Sequence, residues 1–183
     1  LLSFALAQNM VGLGKRILLM EADVRTRVHS IEFDRNNSVS LLDLLAGDKN
    51  LNEVSLYVEE LGFDILTSTR SDKNAADIFA SKRFSKLLTE LREHYDYILI
   101  DTPPVLAVPD ARLIGNISDA NIYIVKWNKS TRGQVNQGLE MLSSIGVNTI
   151  GLVLNQIDTR NTKTYGYTGS YGYGAYGSEY YES

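Results

Sequence analysis

The sequence predicts a doubly wound α/β domain with a mostly parallel sheet. Short, wholly apolar runs of strand length recur along the chain, segments with helical spacing lie between them, and two of the runs end in acids. Strands that are apolar throughout are expected where both faces of a sheet are covered. In such a fold the active residues stand at the C-terminal ends of the strands.

Taken in order, Leu1–Met10 reads as a helix, with Leu2, Leu6 and Met10 at four-residue spacing, and Gly12 and Gly14 end it. Ile17-Leu18-Leu19-Met20 reads as a buried strand. Further strands are predicted at Phe63–Thr67, Tyr97–Ile100, Asn121–Lys126 and Thr149–Leu154. The clearest helices are Lys82–His94 and Thr131–Ile145. Composition changes near Thr164, which divides the chain into a core, residues 1–164, and a tail, residues 165–183. The tail holds seven of the chain's eleven tyrosines and five glycines, and lacks leucine, isoleucine and valine. Such a segment buries too little to order itself and is expected to be a flexible appendage.

Composition excludes several chemistries. The chain has no cysteine, so disulfides, thiolate catalysis and cysteine–zinc sites are ruled out. His29 and His94 are too far apart for metal-ligand spacing. The net charge of −4 gives no electrostatic reason to expect nucleic-acid binding. The apolar runs fall far short of a membrane span, and no signal peptide is expected ahead of the fold.

Two segments carry chemistry. Tyr97-Ile98-Leu99-Ile100-Asp101-Thr102-Pro103-Pro104 is an apolar strand that delivers Asp101 to its tip and then turns. A carboxylate so placed can hold Mg²⁺, directly or through water, beside nucleotide phosphates. The bland alternative is a buried strand with an incidental acid. Ile17-Leu18-Leu19-Met20-Glu21-Ala22-Asp23-Val24-Arg25 repeats the arrangement. Glu21 and Asp23 are two apart, so on extended chain they point the same way. One can support a metal while the other accepts a proton from a tyrosine hydroxyl, which titrates at about 10. Arg25 can stabilise charge on a phosphoryl group or pair with an acid. The bland alternative is a solvated charged turn.

Together the segments resemble the bacterial tyrosine kinases, P-loop enzymes linked to exopolysaccharide and capsule production. That family pairs a strand followed by Asp-x-Asp-x-Arg (Walker A′) with a strand followed by Asp-Ser/Thr-Pro-Pro (Walker B), and autophosphorylates a C-terminal tyrosine cluster. The resemblance spans essentially the whole chain and implies a P-loop NTPase-like fold, ATP and Mg²⁺ as cofactors, and transfer to tyrosine. It implies that Asp23 is the base or tyrosine-orienting acid, that Asp101 holds magnesium, and that Arg25 joins the catalytic set. Glu21 falls where the family has the first Asp of Walker A′; its longer reach changes the geometry of any metal contact. Asn155, after the last strand, falls where related ATPases contact adenine. The substrate tyrosines become Tyr165, Tyr167, Tyr171, Tyr173, Tyr176, Tyr180 and Tyr181. The resemblance also implies a homo-oligomeric ring, a membrane-spanning activator in cis or in trans, a tyrosine phosphatase as partner, and a place at the cytoplasmic face of the bacterial inner membrane.

One departure matters. No Gly-x-x-x-x-Gly-Lys-[Ser/Thr] occurs, and Gly12-Leu13-Gly14-Lys15-Arg16 has the wrong spacing and precedes a strand. A phosphate loop must lead from a strand into a helix, because its N–H groups and the helix N-terminus cradle the anion. It is therefore expected immediately before Leu1, and these 183 residues alone are expected to be inactive. Two rival readings stay open: a partitioning or septum-site ATPase of the deviant-Walker (MinD/ParA) type, and a non-enzymatic scaffold with a degenerate P-loop. Smaller features receive bland readings. His94 is a helix C-terminus, Trp127 is packing, and Lys82, Arg83, Lys86 and Arg92 form a solvated helix face, with an acidic partner surface as the alternative for these four. Asp110, after Val108-Pro109, is a candidate for framing the site.

Overall fold

The computed structural model describes residues 2–25, 40–68 and 75–158. Helix α1 spans Leu2–Val11 and leads into strand β1, Ile17–Glu21. Then follow α2 (Leu41–Ala46), α3 (Leu51–Val54), β2 (Ser55–Val58), β3 (Phe63–Leu66), α4 (Ala75–Phe79), α5 (Lys82–His94) and β4 (Tyr97–Asp101). The last third carries α6 (Asp110–Ile117), β5 (Asn121–Lys126), α7 (Arg132–Ser143) and β6 (Thr149–Asn155).

The sheet order is β2-β3-β1-β4, with β3, β1 and β4 parallel and β2 antiparallel at the edge. Side chains alternate across β1, and both faces are covered as its wholly apolar sequence predicts. Leu18 and Met20 face one cluster with Leu66, Phe84 and Leu91. Ile17 and Leu19 face another with Ala7, Phe63 and Ile65. All five residues of β1 are buried, which fixes the strand that carries the first acids.

Local signals explain the helices. In α5, Phe84, Leu87, Leu88 and Leu91 recur at three- and four-residue spacing and are the buried stripe. The Ser81 hydroxyl caps it by accepting from the Phe84 N–H at 3.2 Å. Arg92 and His94 occupy its last turn, where positive charge suits the helix dipole. Helix α7 opens on a capping box, Thr131 with Gln134. Helix α2 has the same device in Ser40 and Asp43, and closes on Gly47 at φ 85°.

The fold class is as the sequence predicts, with two differences. The described strands form two sheets, because β5 and β6 pair in parallel with each other and with no other described strand. The second difference concerns burial. Strands β5 and β6 read as apolar runs covered on both faces, yet Ile122, Ile124, Leu152 and Leu154 remain 44%, 45%, 54% and 49% exposed among the described residues. Helix α7 lies on Tyr123 of β5 and leaves much of β6 uncovered. The basic face of α5 is also less solvated than its composition predicts. Arg83 donates to the Leu45 and Ala46 carbonyls at 3.1 and 3.2 Å, satisfying the C-terminal end of α2. Arg92 makes a forked pair with Asp119 at 2.9 and 3.0 Å, joining α5 to the turn before β5.

Candidate functional site

Strands β1 and β4 end side by side. Their register pairs Ile17 with Tyr97 and runs unbroken to Glu21 opposite Asp101. Neighbouring strands are about 4.8 Å apart, and laterally paired residues of a parallel ladder point to the same face. Two acidic residues from sequence positions eighty apart therefore stand side by side at the C-terminal edge of the sheet. The ladder continues one step further, with the Ala22 N–H donating to the Asp101 carbonyl at 2.8 Å. Asp23 stands two residues past the tip of β1 and is half-buried.

The three acids sit in different surroundings. Glu21 is 1% exposed, and its Oε2 accepts from the Ser68 N–H and Oγ at 3.3 and 3.4 Å. Asp23 Oδ1 accepts from the Arg25 N–H at 3.1 Å, which folds the exit of β1 into a tight turn. Asp101 is half-buried at the tip of β4. Arg25 is half-exposed, and its Nη2 reaches Asp110 Oδ2 at 3.1 Å. Asp110 begins α6 and is completely buried.

Residues for Mg²⁺ are therefore present in the form the ion accepts. Among the described residues no group of three His, Cys, Asp or Glu converges on a metal position. Mg²⁺ keeps several waters and is usually bound through one or two carboxylates plus phosphate oxygens, so the Glu21–Asp101 pair suffices chemically. The phosphate side of an ATP site is different. Gly12-Leu13-Gly14 spends its N–H groups on the end of α1: Gly12 N–H donates to Gln8 O at 3.1 Å and Gly14 N–H to Val11 O at 2.8 Å. It is a helix stop with Gly14 at φ 74°, as its position before a strand predicts. Among the described residues no glycine-rich loop leads from a strand into a helix.

Asn155 ends β6, and its side-chain oxygen accepts from the Gln156 N–H at 2.9 Å. Gln156 has φ 59°, a left-handed conformation that a non-glycine residue adopts only when its surroundings impose it. The Asn155 carbonyl accepts from the Trp127 N–H at 2.9 Å, so the ends of β5 and β6 are tied together. Tyr165, Tyr167, Tyr171, Tyr173, Tyr176, Tyr180 and Tyr181 lie outside the described residues.

Sequence reasoning missed Ser68 and the pairing of Arg25 with Asp110. Ser68 carried a usable signal, because Thr67-Ser68-Thr69-Arg70 is a polar run at the C-terminal end of a parallel strand. No such signal exists for a contact between residues 25 and 110, which only folding brings together.

Comparison with known proteins places this geometry in context. A family model described as an AAA domain matches residues 2–159. The chain is 31% identical over 165 residues to the tyrosine-protein kinase Etk of Escherichia coli K12, covering 90% of this chain and 23% of Etk. It is 30% identical over 157 residues to the tyrosine-protein kinase YwqD of Bacillus subtilis, covering 86% of this chain and 66% of YwqD. Among solved structures, the kinase domain of E. coli Etk superposes with a TM-score of 0.81 at 30% identity, covering 86% of this chain and 62% of that one. The VpsO kinase domain gives 0.77 at 30% identity, covering 86% and 75%. The Aquifex aeolicus MinC:MinD complex, at 20% identity and a TM-score of 0.72, shares the fold alone. The chain spans under a quarter of the full length of Etk.

Proposed function

The chain belongs to the AAA-domain family and stands among its bacterial tyrosine kinases, and from that premise we propose that its native protein is an ATP-dependent protein-tyrosine autokinase acting on its own, or a neighbouring subunit's, C-terminal tyrosine cluster. The observation that carries the reading is the lateral pairing of Glu21 with Asp101 at the C-terminal edge of the sheet, with Asp23 two residues beyond. ATP with Mg²⁺ supplies the transferable phosphoryl group and the charge that neutralises its oxygens. Asp101 would hold the magnesium, and Glu21 would support it from the adjacent strand. Asp23 orients the incoming tyrosine hydroxyl and takes its proton. Arg25 lies on the same turn, where its charge stabilises the phosphoryl oxygens. Asn155 presents a carboxamide to the nucleobase; its oxygen is used locally, which leaves the NH₂ as the recognising donor.

This reading requires a phosphate cradle, and among the described residues no glycine-rich loop leads from a strand into a helix.

The tail, residues 165–183, is the substrate. Glycines between its tyrosines let several hydroxyls reach one site in turn. Each phosphate adds about −1.5 to −2 charge, so seven add roughly −10 to −14. In a homo-oligomeric ring whose tails dock in neighbouring sites, that charge drives subunits apart. Among the described residues no helix is long and apolar enough to cross a membrane. By its resemblance to the bacterial tyrosine kinases, we propose that the kinase works at the cytoplasmic face of the inner membrane through a membrane-spanning activator in cis or in trans, is reset by a tyrosine phosphatase, and regulates exopolysaccharide or capsule export. A MinD/ParA-type ATPase and a scaffold with a degenerate P-loop account less well for seven clustered tyrosines.

The test is phosphotyrosine mapping and mass measurement on the full-length native protein purified from bacteria. Phosphotyrosine is expected within residues 165–181, with a lower oligomeric mass in the phosphorylated form. Asp101→Asn is expected to lower autophosphorylation by about 100-fold or more. A wild-type protein that hydrolyses ATP but carries no phosphotyrosine would overturn the kinase reading in favour of the partitioning-ATPase one.

A further inference from the structure

Asp110 is a costly residue for the fold to keep. It is 0% exposed, it opens α6 directly after Pro109, and Pro109 contributes no side-chain cap. A buried carboxylate is tolerated when charge and hydrogen bonds compensate it. Here the compensation is one-sided. Oδ2 meets Arg25 Nη2 at 3.1 Å, whereas Oδ1 has no hydrogen-bond partner. A carboxylate whose only task was to favour the helix N-terminus would need no arginine from a strand exit 85 residues earlier. The same arginine uses its backbone N–H to hold Asp23 Oδ1 at 3.1 Å. Asp110, Arg25 and Asp23 therefore form one chain of contacts from the start of α6, through a half-exposed guanidinium, to the acid past β1.

We infer that Asp110 is a positioning residue for phosphoryl transfer: it clamps Arg25, and through Arg25 it sets the turn that aims the Asp23 carboxylate. This rests on the kinase reading above for its catalytic consequence, but its structural content stands without it. The clamp joins the exits of two segments, the β1 turn and the loop that follows β4, so the acids on both sides of the site hold their spacing. Such pre-orientation affects turnover more than substrate affinity, because it acts on the geometry of transfer.

Two readouts separate this from a merely structural role. The first is backbone dynamics of the full-length kinase by NMR, with no nucleotide present. In Asp110→Asn and in Arg25→Gln, order parameters at Asp23 and Arg25 are expected to fall from about 0.85 to below about 0.6, while β1 stays rigid. Arg25 is half-exposed, so Arg25→Gln folds even if the buried substitution does not. The second is a double-mutant cycle on the full-length kinase. Asp110→Asn is expected to lower kcat about tenfold with KM for ATP within about twofold, Arg25→Gln, which also loses the charge at the phosphoryl group, is expected to lower it further, and the double variant is expected to be no worse than Arg25→Gln alone. An unchanged order parameter at Asp23 in Arg25→Gln, or multiplicative losses in the cycle, would overturn the inference. A full-length wild-type protein without kinase activity overturns the kinase reading alone and leaves the NMR result to decide the clamp.

Discussion

Tyr95 and Asp64 show how burial and hydrogen bonding act on single side chains. They lie at the opposite end of the sheet from the acids, where Asp64 pairs in register with Leu18 and Tyr95 precedes β4. Burial pushes the Asp64 carboxyl up, against a hydrogen bond from Tyr95 that pulls it down. Burial, with the neighbouring Asp64 charge, pushes the Tyr95 hydroxyl up to about 12, from an ordinary value of 10.0. The sign follows from linkage. A folded-state value above the unfolded one gives stability that is complete below pH 10 and is lost as pH rises towards 12. Tyr95→Phe removes that group. The difference between wild-type and variant stability, from urea melts at pH 9 to 12, is expected to shrink steadily across this window; a flat difference would show that Tyr95 titrates normally. At the functional end, Glu21 and Asp23 differ for a reason the chain order already contains: the first is the last residue of a buried strand, and the second lies in the turn beyond it.

At the scale of elements, α7 is held to β5 by a missing side chain. Gly138 lies against Tyr123, and a Cβ there would overlap the hydroxyl and sit 2.9–3.0 Å from the ring atoms behind it. Alanine in a helix interior is normally worth about 1 kcal/mol over glycine. Overpacking costs about 1–3 kcal/mol, and here the whole ring must swing, so packing wins. Gly138→Ala is expected to destabilise the protein by about 1 kcal/mol, a drop of about 2–4 °C in Tm by calorimetry for a chain of this size. A rise in Tm would mean that Tyr123 yields freely. The helices also show how far local signals reach. The bounds of α5 were legible in Ser81, the apolar stripe and the basic last turn, because cap, stripe and dipole are all properties of adjacent residues. Strand β2 and the short helices α2, α3, α4 and α6 were not legible. Each is too short for periodicity to show, and β2 exists only because Ser55 to Val58 find β3 as an antiparallel partner.

For the molecule as a whole, what these residues can bind follows from which groups stand at the C-terminal edge of the sheet. The acids at the tips of β1 and β4 are in register, whereas the residues that would wrap phosphates are not found among the described residues. A phosphate held by carboxylates alone is repelled, not bound. ATP affinity of the 183 residues by themselves is therefore expected to be much weaker than micromolar, with binding recovered in the full-length protein. Isothermal titration in the presence of Mg²⁺ checks this, and a micromolar dissociation constant for the isolated chain would show that the cradle lies within it.

The sequence by itself determined the α/β class, the placement of the longer strands and helices, the two acid-tipped strands and the concentration of tyrosine at the C-terminal end. These follow from composition, periodicity and neighbour order, which act within a few residues of each other. Only the tertiary structure decided that Glu21 and Asp101 share a register, that Ser68 engages Glu21, and that a buried Asp110 grips Arg25. Those contacts join residues from 47 to 85 positions apart. Nothing local to either partner encodes them; they depend on which strand lies beside which. The opening feature of the site, an acid at a strand tip, thus becomes a set of paired acids with a defined clamp once the parallel ladder is in place.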